Sequence, residues 1–482
     1  MTATPRCPRS PHRPGACGCC WVGSTARPSR CCWGRRPAEA AQPPADPTHG
    51  GFDASAAVEL SLSPAQIEDY EHSARAVAKA AVAHSAVLAQ HAPCIEGGLD
   101  PDLCYAQVVE TLGPLLWRRP IEADELEALV TFGRAVRLDA GFGLGLEFVL
   151  ATMLQAPSFL YVVEVGEPDD ASEHRVLRPR ELATRMALLL LGHTPDAELM
   201  ALADAGGLDD DAGIREAAWA MLQQPRARTA VADYFDQLFR LRDLPTTGKI
   251  AEVYPQFDER LATAMRQETQ RLIEHVVFDE DIDLLSVLDA DYTFVNADLA
   301  ELYGIEPPDT PWAQVPVPQD QGRRGLLTHP SFLSLFAQPA RASPTRRGLF
   351  VQQMLLCTEI MPPPPRVNPE LPELDPDLTF REQLEAHTAD AACAGCHSLM
   401  DPVGFAFGHF DGIGAHHPTE DGKPIDATGQ VGGLGSFDGP AELAALLRQD
   451  PRVSQCIVRN LYRGTLGVAE TIEQAEGIDQ LV

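Results

Sequence analysis

The sequence predicts a mainly α fold built from several helical modules, and three observations support this prediction. From about residue 54 onward, apolar residues recur at the three- and four-residue spacing of amphipathic helices. Helix signals are frequent, with prolines and acids at the starts and glycines after the ends. Alternating strand patterns are scarce. The clearest helical stripe, which we expect to be core, consists of Val231, Tyr234, Phe235, Leu238 and Phe239.

The composition favours a globular protein and excludes some classes of partner. The 482 residues are 45% hydrophobic and carry a formal net charge of -31. A surface this acidic repels phosphate backbones and anionic lipids, so we expect neither nucleic acid nor a membrane surface as a partner. The longest apolar stretch, residues 141–165, contains Glu147, Gln155 and Pro157. It therefore predicts a buried helix, and we expect no transmembrane segment.

Residues 1–53 form a segment without helical or strand periodicity. Seven arginines and two acids occur in its first fifty residues, and no apolar run of about 7–15 residues marks a secretory signal. We interpret the segment as a disordered tail or as translation from a mis-assigned start, and the second interpretation would explain the missing signal. Metal binding is a third interpretation, although the spacing of the cysteines matches no zinc pattern. These cysteines are Cys7, Cys17, Cys19, Cys20, Cys31 and Cys32.

Residues 54–168 predict a first helical module. Residues 60–92 have the composition of one long helix, and Pro120 is expected to open another helix with acids in its first turn. Residues 143–164 are predicted to continue as one apolar helix. Cys94 and Cys104 flank a turn rich in glycine and aspartate, and we expect a disulfide between them.

Residues 175–305 predict a helical bundle. Pro179 stands at the first position of one helix, and Glu181 lies in its first turn. Thr194 is the expected N-cap of the next helix, with Pro195 as its first residue. A Pro-rich connection, residues 306–325, follows this module.

Residues 320–420 are predicted as a third module, in which residues 344–360 form a helix. After a second Pro-rich connection, Thr379 and Glu382 form a capping box that opens a helix carrying His387.

The last module, residues 433–482, is predicted to be short, helical and truncated. Its final helix carries Cys456 on the same face as apolar residues. Cys357 also faces inward, and we expect the two to form a disulfide, because an even number of cysteines remains outside the N-terminal segment and the pair at 393 and 396.

The sequence Cys393-Ala394-Gly395-Cys396-His397 has the C-x-x-C-H spacing of covalent haem c attachment. Two thiols three residues apart lie on one turn and can add across the two vinyl groups of haem, while the adjacent histidine can ligate the iron. With 12 Cys and 14 His in the chain, chance produces this pattern in roughly one such chain in a hundred. We therefore predict one haem, anchored by Cys393 and Cys396, with His397 as proximal ligand.

The sixth ligand of the iron has several candidates in the sequence. Met400 lies only three residues after His397 and would fall on the same side of the ring, which excludes it. His387, on the capped helix before the motif, is the first choice, and His409, His329 and Met361 are the others. A five-coordinate iron would instead favour small-ligand binding or peroxide chemistry.

Two other chemistries compete for the C-x-x-C-H motif. A zinc site could recruit His387 or His409. A thioredoxin-like motif would need a strand before it and a helix after it, whereas here a predicted helix precedes the motif and a glycine-rich loop follows.

Residues 392–407, followed by Phe410-Asp411-Gly412-Ile413-Gly414, resemble a module from a set of tandem domains of unknown function. The set occurs in planctomycetes and myxobacteria and is associated with planctomycete-type cytochrome c domains. The sequence departs from it at Gly408, where an acid is usual, and at His416, where an arginine is usual. The companion modules are similar to residues 117–160, 177–304, 324–414 and 437–467, so the resemblance covers about residues 95–475.

The resemblance implies export, haem attachment and a C-terminal cytochrome c-like haem module. We therefore expect a periplasmic, extracellular or cell-surface c-type haem protein that exchanges electrons with a partner redox protein. One alternative is a haem-dependent, peroxidase-like or oxidative enzyme of the oxidoreductase class. Another is a secreted binding or scaffold protein in which the C-x-x-C-H motif holds structural zinc or a disulfide.

Overall fold

The computed structural model describes residues 37, 39–44, 52, 63–97, 99–168, 175–361, 378–388 and 391–479. Helices dominate these ranges, which confirms the predicted mainly α fold. The α-helices are α1 Pro64–Ala83, α2 Leu88–His91, α3 Pro101–Trp117, α4 Ala123–Ala140, α5 Phe142–Gln155, α6 Pro157–Leu160, α7 Pro179–Leu191, α8 Ala197–Asp204, α9 Asp211–Leu222, α10 Pro225–Leu238, α11 Glu259–Glu274, α12 Ser286–Asp289, α13 Ala297–Tyr303, α14 Pro330–Leu335, α15 Pro344–Phe350, α16 Phe380–His387, α17 Ala391–Gly404, α18 Gly439–Gln449, α19 Pro451–Leu466 and α20 Ile472–Asp479.

The strands of the described ranges pair only as two-stranded antiparallel hairpins. The hairpin at the core of the second half pairs Tyr292 with Pro316 at one end and Val295 with Ala313 at the other. The paired strands are β1 Glu167–Pro168 with β2 Arg175–Val176, β3 Tyr292–Val295 with β4 Ala313–Pro316, β5 Thr419–Glu420 with β6 Lys423–Pro424, and β7 Thr428–Val431 with β8 Gly435–Asp438.

The described chain divides into two compact units. The first comprises the described residues of 1–47 and 59–230, and the second those of 48–58 and 231–482. The boundary at 230/231 falls inside α10 and inside the module that the sequence predicts at 175–305.

The first unit has a helical core in which α5 packs against α1, α3 and α4. Tyr105, Leu112 and Leu150 are fully buried in this core. The predicted disulfide between Cys94 and Cys104 is present and joins the turn before α3 to its first helical turn.

The second unit is organised around α11, whose Leu261, Met265 and Leu272 are buried. Phe332 contacts the rings of Phe350 and Phe407, with centroids 5.4 and 5.3 Å away. The second predicted disulfide is present as well and joins Cys357 to Cys456 across 99 residues of sequence.

Several predicted elements are confirmed residue by residue. Helix α7 begins at Pro179, and the Thr379 side chain caps α16 in a reciprocal capping box with Glu382. The stripe on α10 continues just past the helix and is core: Phe235, Leu238 and Phe239 are buried.

Other helix boundaries differ from the prediction because a residue adjacent to the observed helix end determines where the helix stops or starts. The predicted helix 143–164 ends at Gln155, since Pro157 cannot donate to a preceding carbonyl and starts the separate helix α6. Asp196, and not Thr194, is the N-cap of α8, and its carboxylate accepts the Leu199 amide at 2.9 Å. The predicted long helix 60–92 is likewise divided into α1 and α2.

The glycine-rich segment after α17, which the sequence predicts to be a loop, contains hairpins. Asp421 and Gly422 connect β5 to β6, and their φ values are 50° and 81°. A two-residue turn with both φ values positive matches the right-handed twist of paired strands, and Asp-Gly is a favoured sequence for it.

Candidate functional site

Helix α17 carries the whole C-x-x-C-H motif. Cys393 and Cys396 form no disulfide, and both are partly exposed. His397 follows directly, and its side chain is 23% exposed. The two thiols and the imidazole therefore lie within one and a half turns of a single helix, at its accessible surface.

Helix α17 is held in place by a backbone-to-backbone contact with α15. A Cβ atom at Gly348 would overlap the carbonyl oxygen of Met400, and a Cβ atom at Gly404 would overlap that of Pro344. The two glycines thus allow the helices to approach more closely than any side chain would permit. This contact brings Thr345 of α15 against the inner face of α17.

His397 belongs to a hydrogen-bonded chain of three side chains. Its Nδ1 lies 2.8 Å from Oδ2 of Asp401, one helical turn later. Thr345 Oγ1 donates to the other carboxylate oxygen, Oδ1, at 2.8 Å. Because an ionised carboxylate only accepts, Nδ1 donates in this contact, and in a neutral imidazole Nε2 then carries the lone pair. Metal-ligating histidines commonly have this second-nitrogen partner.

A cavity of about 590 Å³ lies beside His397. Its lining combines apolar side chains with polar groups, as is common in ligand sites. Arg381 lies over the Phe405 ring at 4.4 Å and also donates to the carbonyl of Thr428. The lining residues are Arg381, Glu385, Thr388, Ala394, His397, Ser398, Asp401, Pro402, Phe405, Thr428, Gly429, Gln430, Ser436, Phe437, Asp438 and Glu442.

The candidate sixth ligands of the iron lie in different surroundings. Met361 is 66% exposed, and its carbonyl oxygen lies 3.9 Å from Cys396 Sγ. His409 Nδ1 contacts the carbonyl of His417 at 3.2 Å. His387 is the last residue of α16, but its side chain lies outside the described part of the chain.

His329 lies in the core, 1% exposed, within a polar cluster. Its Nδ1 is 3.0 Å from Thr269 Oγ1, and its Nε2 is 3.2 Å from Thr293 Oγ1. Glu268 Oε1 accepts hydrogen bonds from Thr293 and Tyr303. Both ring nitrogens of His329 therefore have partners inside the core, and the cluster lies apart from the cavity beside His397.

Two buried arginines hold the loop that follows α17. Arg347 donates to the carbonyls of Phe407 and Phe410 at 3.0 and 2.9 Å. Arg323 donates to the carbonyl of Gly414 at 2.6 Å, and its guanidinium lies over the Phe410 ring. This packing gives a physical role to the Phe410-to-Gly414 segment that the sequence resemblance singled out.

The residues on α17 fit a covalently attached haem. Cys393 and Cys396 have sulfurs outside disulfides, His397 Nδ1 contacts the Asp401 carboxylate, and His397 lines a cavity. Among the described residues, no three His, Cys, Asp or Glu side chains are grouped as ligands of a metal ion.

Asp401 and Thr345 are site residues that the sequence analysis missed. Asp401 stands four residues after His397, a spacing that places two side chains on the same face of a helix. Use of this signal would have required a predicted helix at residues 391–404, whereas the sequence analysis predicts a helix only before the motif. Thr345 carries no such signal, since it is 56 residues away in the sequence.

Four protein-family models match the chain, and each is described as a protein of unknown function. The match to PSCyt3 includes the C-x-x-C-H motif, and the match to PSD3 begins within the predicted segment 1–53. No curated protein and no solved structure matches the chain. The four models are PSD3 (DUF1587) at residues 34–83, PSD5 (DUF1595) at 104–164, PSD4 (DUF1592) at 177–305 and PSCyt3 (DUF1588) at 323–420.

Each helix of the described ranges is either too short or too polar to span a lipid bilayer.

Proposed function

Because this chain carries the planctomycete set of tandem domains, as its sequence predicts, we propose that it is an exported c-type haem protein acting in electron transfer. The name of the PSCyt3 model, which matches residues 323–420, points to a cytochrome-related role. The observation that carries the proposal is the hydrogen bond from His397 to Asp401 on the helix that also presents two unpaired thiols.

In the proposed site, four residues of α17 would hold one haem c. Cys393 and Cys396 would each add S–H across one vinyl group, which forms a thioether and needs no oxidant. His397 would ligate the iron through Nε2, and Asp401 would keep the imidazole in the required tautomer. The bound group would supply reversible one-electron transfer. His387 remains the proposed sixth ligand.

The disulfides support a location outside the cytoplasm. Structural disulfides persist in oxidising compartments such as the periplasm, and the described part of each unit contains one. We propose a periplasmic or cell-surface location and a redox protein as partner. The net charge of -31 favours a partner whose docking surface is basic.

Covalent haem is tested by a pyridine haemochrome spectrum of the chain exported from a cytochrome c maturation strain. We expect an α-band of thioether-linked haem that survives acid-acetone extraction. Cys393→Ala combined with Cys396→Ala should abolish the band, whereas Leu399→Ala, at an exposed position of α17 outside the cavity lining, should retain it. Absence of the band in the unchanged chain would overturn the proposal, and stoichiometric zinc or a 393–396 disulfide would then support the structural alternative.

A second candidate function is a haem-dependent, peroxidase-like oxidation. The Asp401 carboxylate favours it, because such a partner raises the basicity of a histidine ligand. Peroxide-dependent oxidation of a generic electron donor by the haem-loaded chain would support this candidate. Rapid electron exchange without peroxide turnover would support the electron-transfer function.

A further inference from the structure

We infer that Asp401 and Thr345 together set the reduction potential of the site, with Asp401 as a positioning residue that acts through His397. The inference rests on the proposed function, since it concerns the haem that α17 would hold. It goes further in assigning opposite effects on the potential to two side chains outside the C-x-x-C-H motif.

The geometry makes Asp401 an effective partner of His397. The carboxylate is 4% exposed and receives Nδ1–H of His397 at 2.8 Å. Burial protects this hydrogen bond from competition with water and from screening by salt. A negative charge held on Nδ1–H increases electron donation from Nε2, so it favours the oxidised form of a ligated iron and lowers the potential.

Thr345 opposes this effect. Its hydroxyl donates to Oδ1 of Asp401 at 2.8 Å and withdraws negative charge from the carboxylate that holds His397. The close contact of Gly348 and Gly404 keeps α15 beside α17, and thereby keeps Thr345 within reach of Asp401. Residues of two helices, α15 and α17, consequently determine the reduction potential.

The redox step needs no group beyond those already named. A partner redox protein delivers or removes one electron, while the Nδ1 proton of His397 stays between His397 and Asp401. No bond to a residue of the chain forms or breaks in the step.

The test compares the midpoint potentials of haem-loaded variants by spectroelectrochemical titration. Asp401→Asn should raise the potential, by about tenfold in the equilibrium constant for one-electron reduction or about 59 mV. The Thr345 hydroxyl can accept from the new amide NH₂, which leaves the amide oxygen facing His397. Thr345→Val should lower the potential, because the carboxylate loses its second donor while the branched shape of the side chain is kept.

Asp438→Asn is the control for loss of charge alone. Asp438 lines the same cavity but is exposed, so its charge is screened by water and its loss should shift the potential less. Opposite shifts in the Asp401 and Thr345 variants, both larger than the control, support the inference. Shifts of the same sign, or no larger than the control, overturn it.

The haemochrome band keeps this test separate from that of the proposed function. Haem is joined through Cys393 and Cys396, so the band reports attachment in every variant whatever the potential. No band in the unchanged chain defeats the proposed function, and the inference with it. If the band is present but substitution of Asp401 and Thr345 does not change the midpoint potential, only the inference is defeated. If the Asp401→Asn variant does not acquire haem, the sign of the shift in midpoint potential of Thr345→Val decides whether the inference stands.

Discussion

Glu268 and His329 lie in the core of the second unit with their pKa values displaced in opposite directions. Burial raises the pKa of Glu268 to about 7, although Tyr303 and Thr293 donate to its carboxylate. Burial, helped by the charge of Arg323, lowers the pKa of His329 to about 3. His329 Nε2 and Glu268 Oε1 are 3.9 Å apart. Both side chains are therefore mainly neutral in mildly acidic solution.

These shifts have opposite consequences for stability. Folded Glu268 retains its proton between its ordinary pKa of 4.5 and about 7, so its contribution to stability is present below pH 4.5 and is lost as the pH rises to 7. Unfolded His329 binds a proton between about pH 3 and its ordinary 6.5, so its contribution is present above pH 6.5 and is lost as the pH falls. Between pH 4.5 and 6.5 the two contributions change with pH at equal and opposite rates, so their effects on the unfolding free energy cancel.

Glu268→Gln should reveal the pH dependence of the unfolding free energy that is due to His329. Relative to the unchanged chain, the variant should gain about 1.4 kcal/mol of unfolding free energy per pH unit between pH 4.5 and 7, or about 3 kcal/mol in all. Urea denaturation at several pH values measures this difference. His329→Gln is the counterpart and should lose relative stability as the pH rises from about 3 to 6.5. A pH-independent difference for Glu268→Gln would show that its pKa is not raised.

At the scale of the element, the contact between α15 and α17 tolerates no side chain. Gly348→Ala should destabilise the second unit by at least about 2 kcal/mol, because the new methyl group would meet the backbone of α17. Gly395→Ala is the matched control on α17: nothing lies within 4 Å of its Cβ position. There the higher helix propensity of alanine should stabilise by about 0.5–1 kcal/mol. Urea denaturation distinguishes the two, and equal effects would contradict the close contact.

Element prediction from the sequence succeeded where the signal was local. Pro179 starts α7 and Thr379 caps α16, because a helix start depends on residues within one turn of each other. It failed where two local signals competed, as with Thr194 and Asp196 before α8. The Asp421-Gly422 turn was available to the prediction, but the surrounding strands are two residues long and give no alternating pattern.

In the candidate site, too, the sequence identifies residues that lie close together in the chain but not those that lie far apart. Cys393, Cys396 and His397 lie together on α17 because they are adjacent in sequence, and their role in holding haem stays a prediction. Asp401 could have been found from the helical register. Thr345 could not, because its approach depends on the packing of α15 and α17 through two glycines.

At the scale of the whole molecule, the two disulfides should differ in what they contribute to stability. In the chain-entropy model the cost of removing a disulfide grows with the length of the loop it closes. Replacing Cys357 and Cys456 by alanine should therefore cost about 4–5 kcal/mol, since they are 99 residues apart. Replacing Cys94 and Cys104, 10 residues apart, should cost about 3 kcal/mol. Urea denaturation of both double variants measures the costs, and a larger cost for the short loop would contradict this account.

The Cys357–Cys456 disulfide also closes residues 357–456 into a covalent ring. Residues 393–397 lie inside that ring, between the two joined cysteines. A protease that cuts once anywhere inside the ring opens it without separating the pieces, so the nicked chain still migrates as one band on a non-reducing gel. Only after reduction does the fragment bearing the motif come away. A chain built in this way therefore keeps α17 after a single proteolytic cut within the ring.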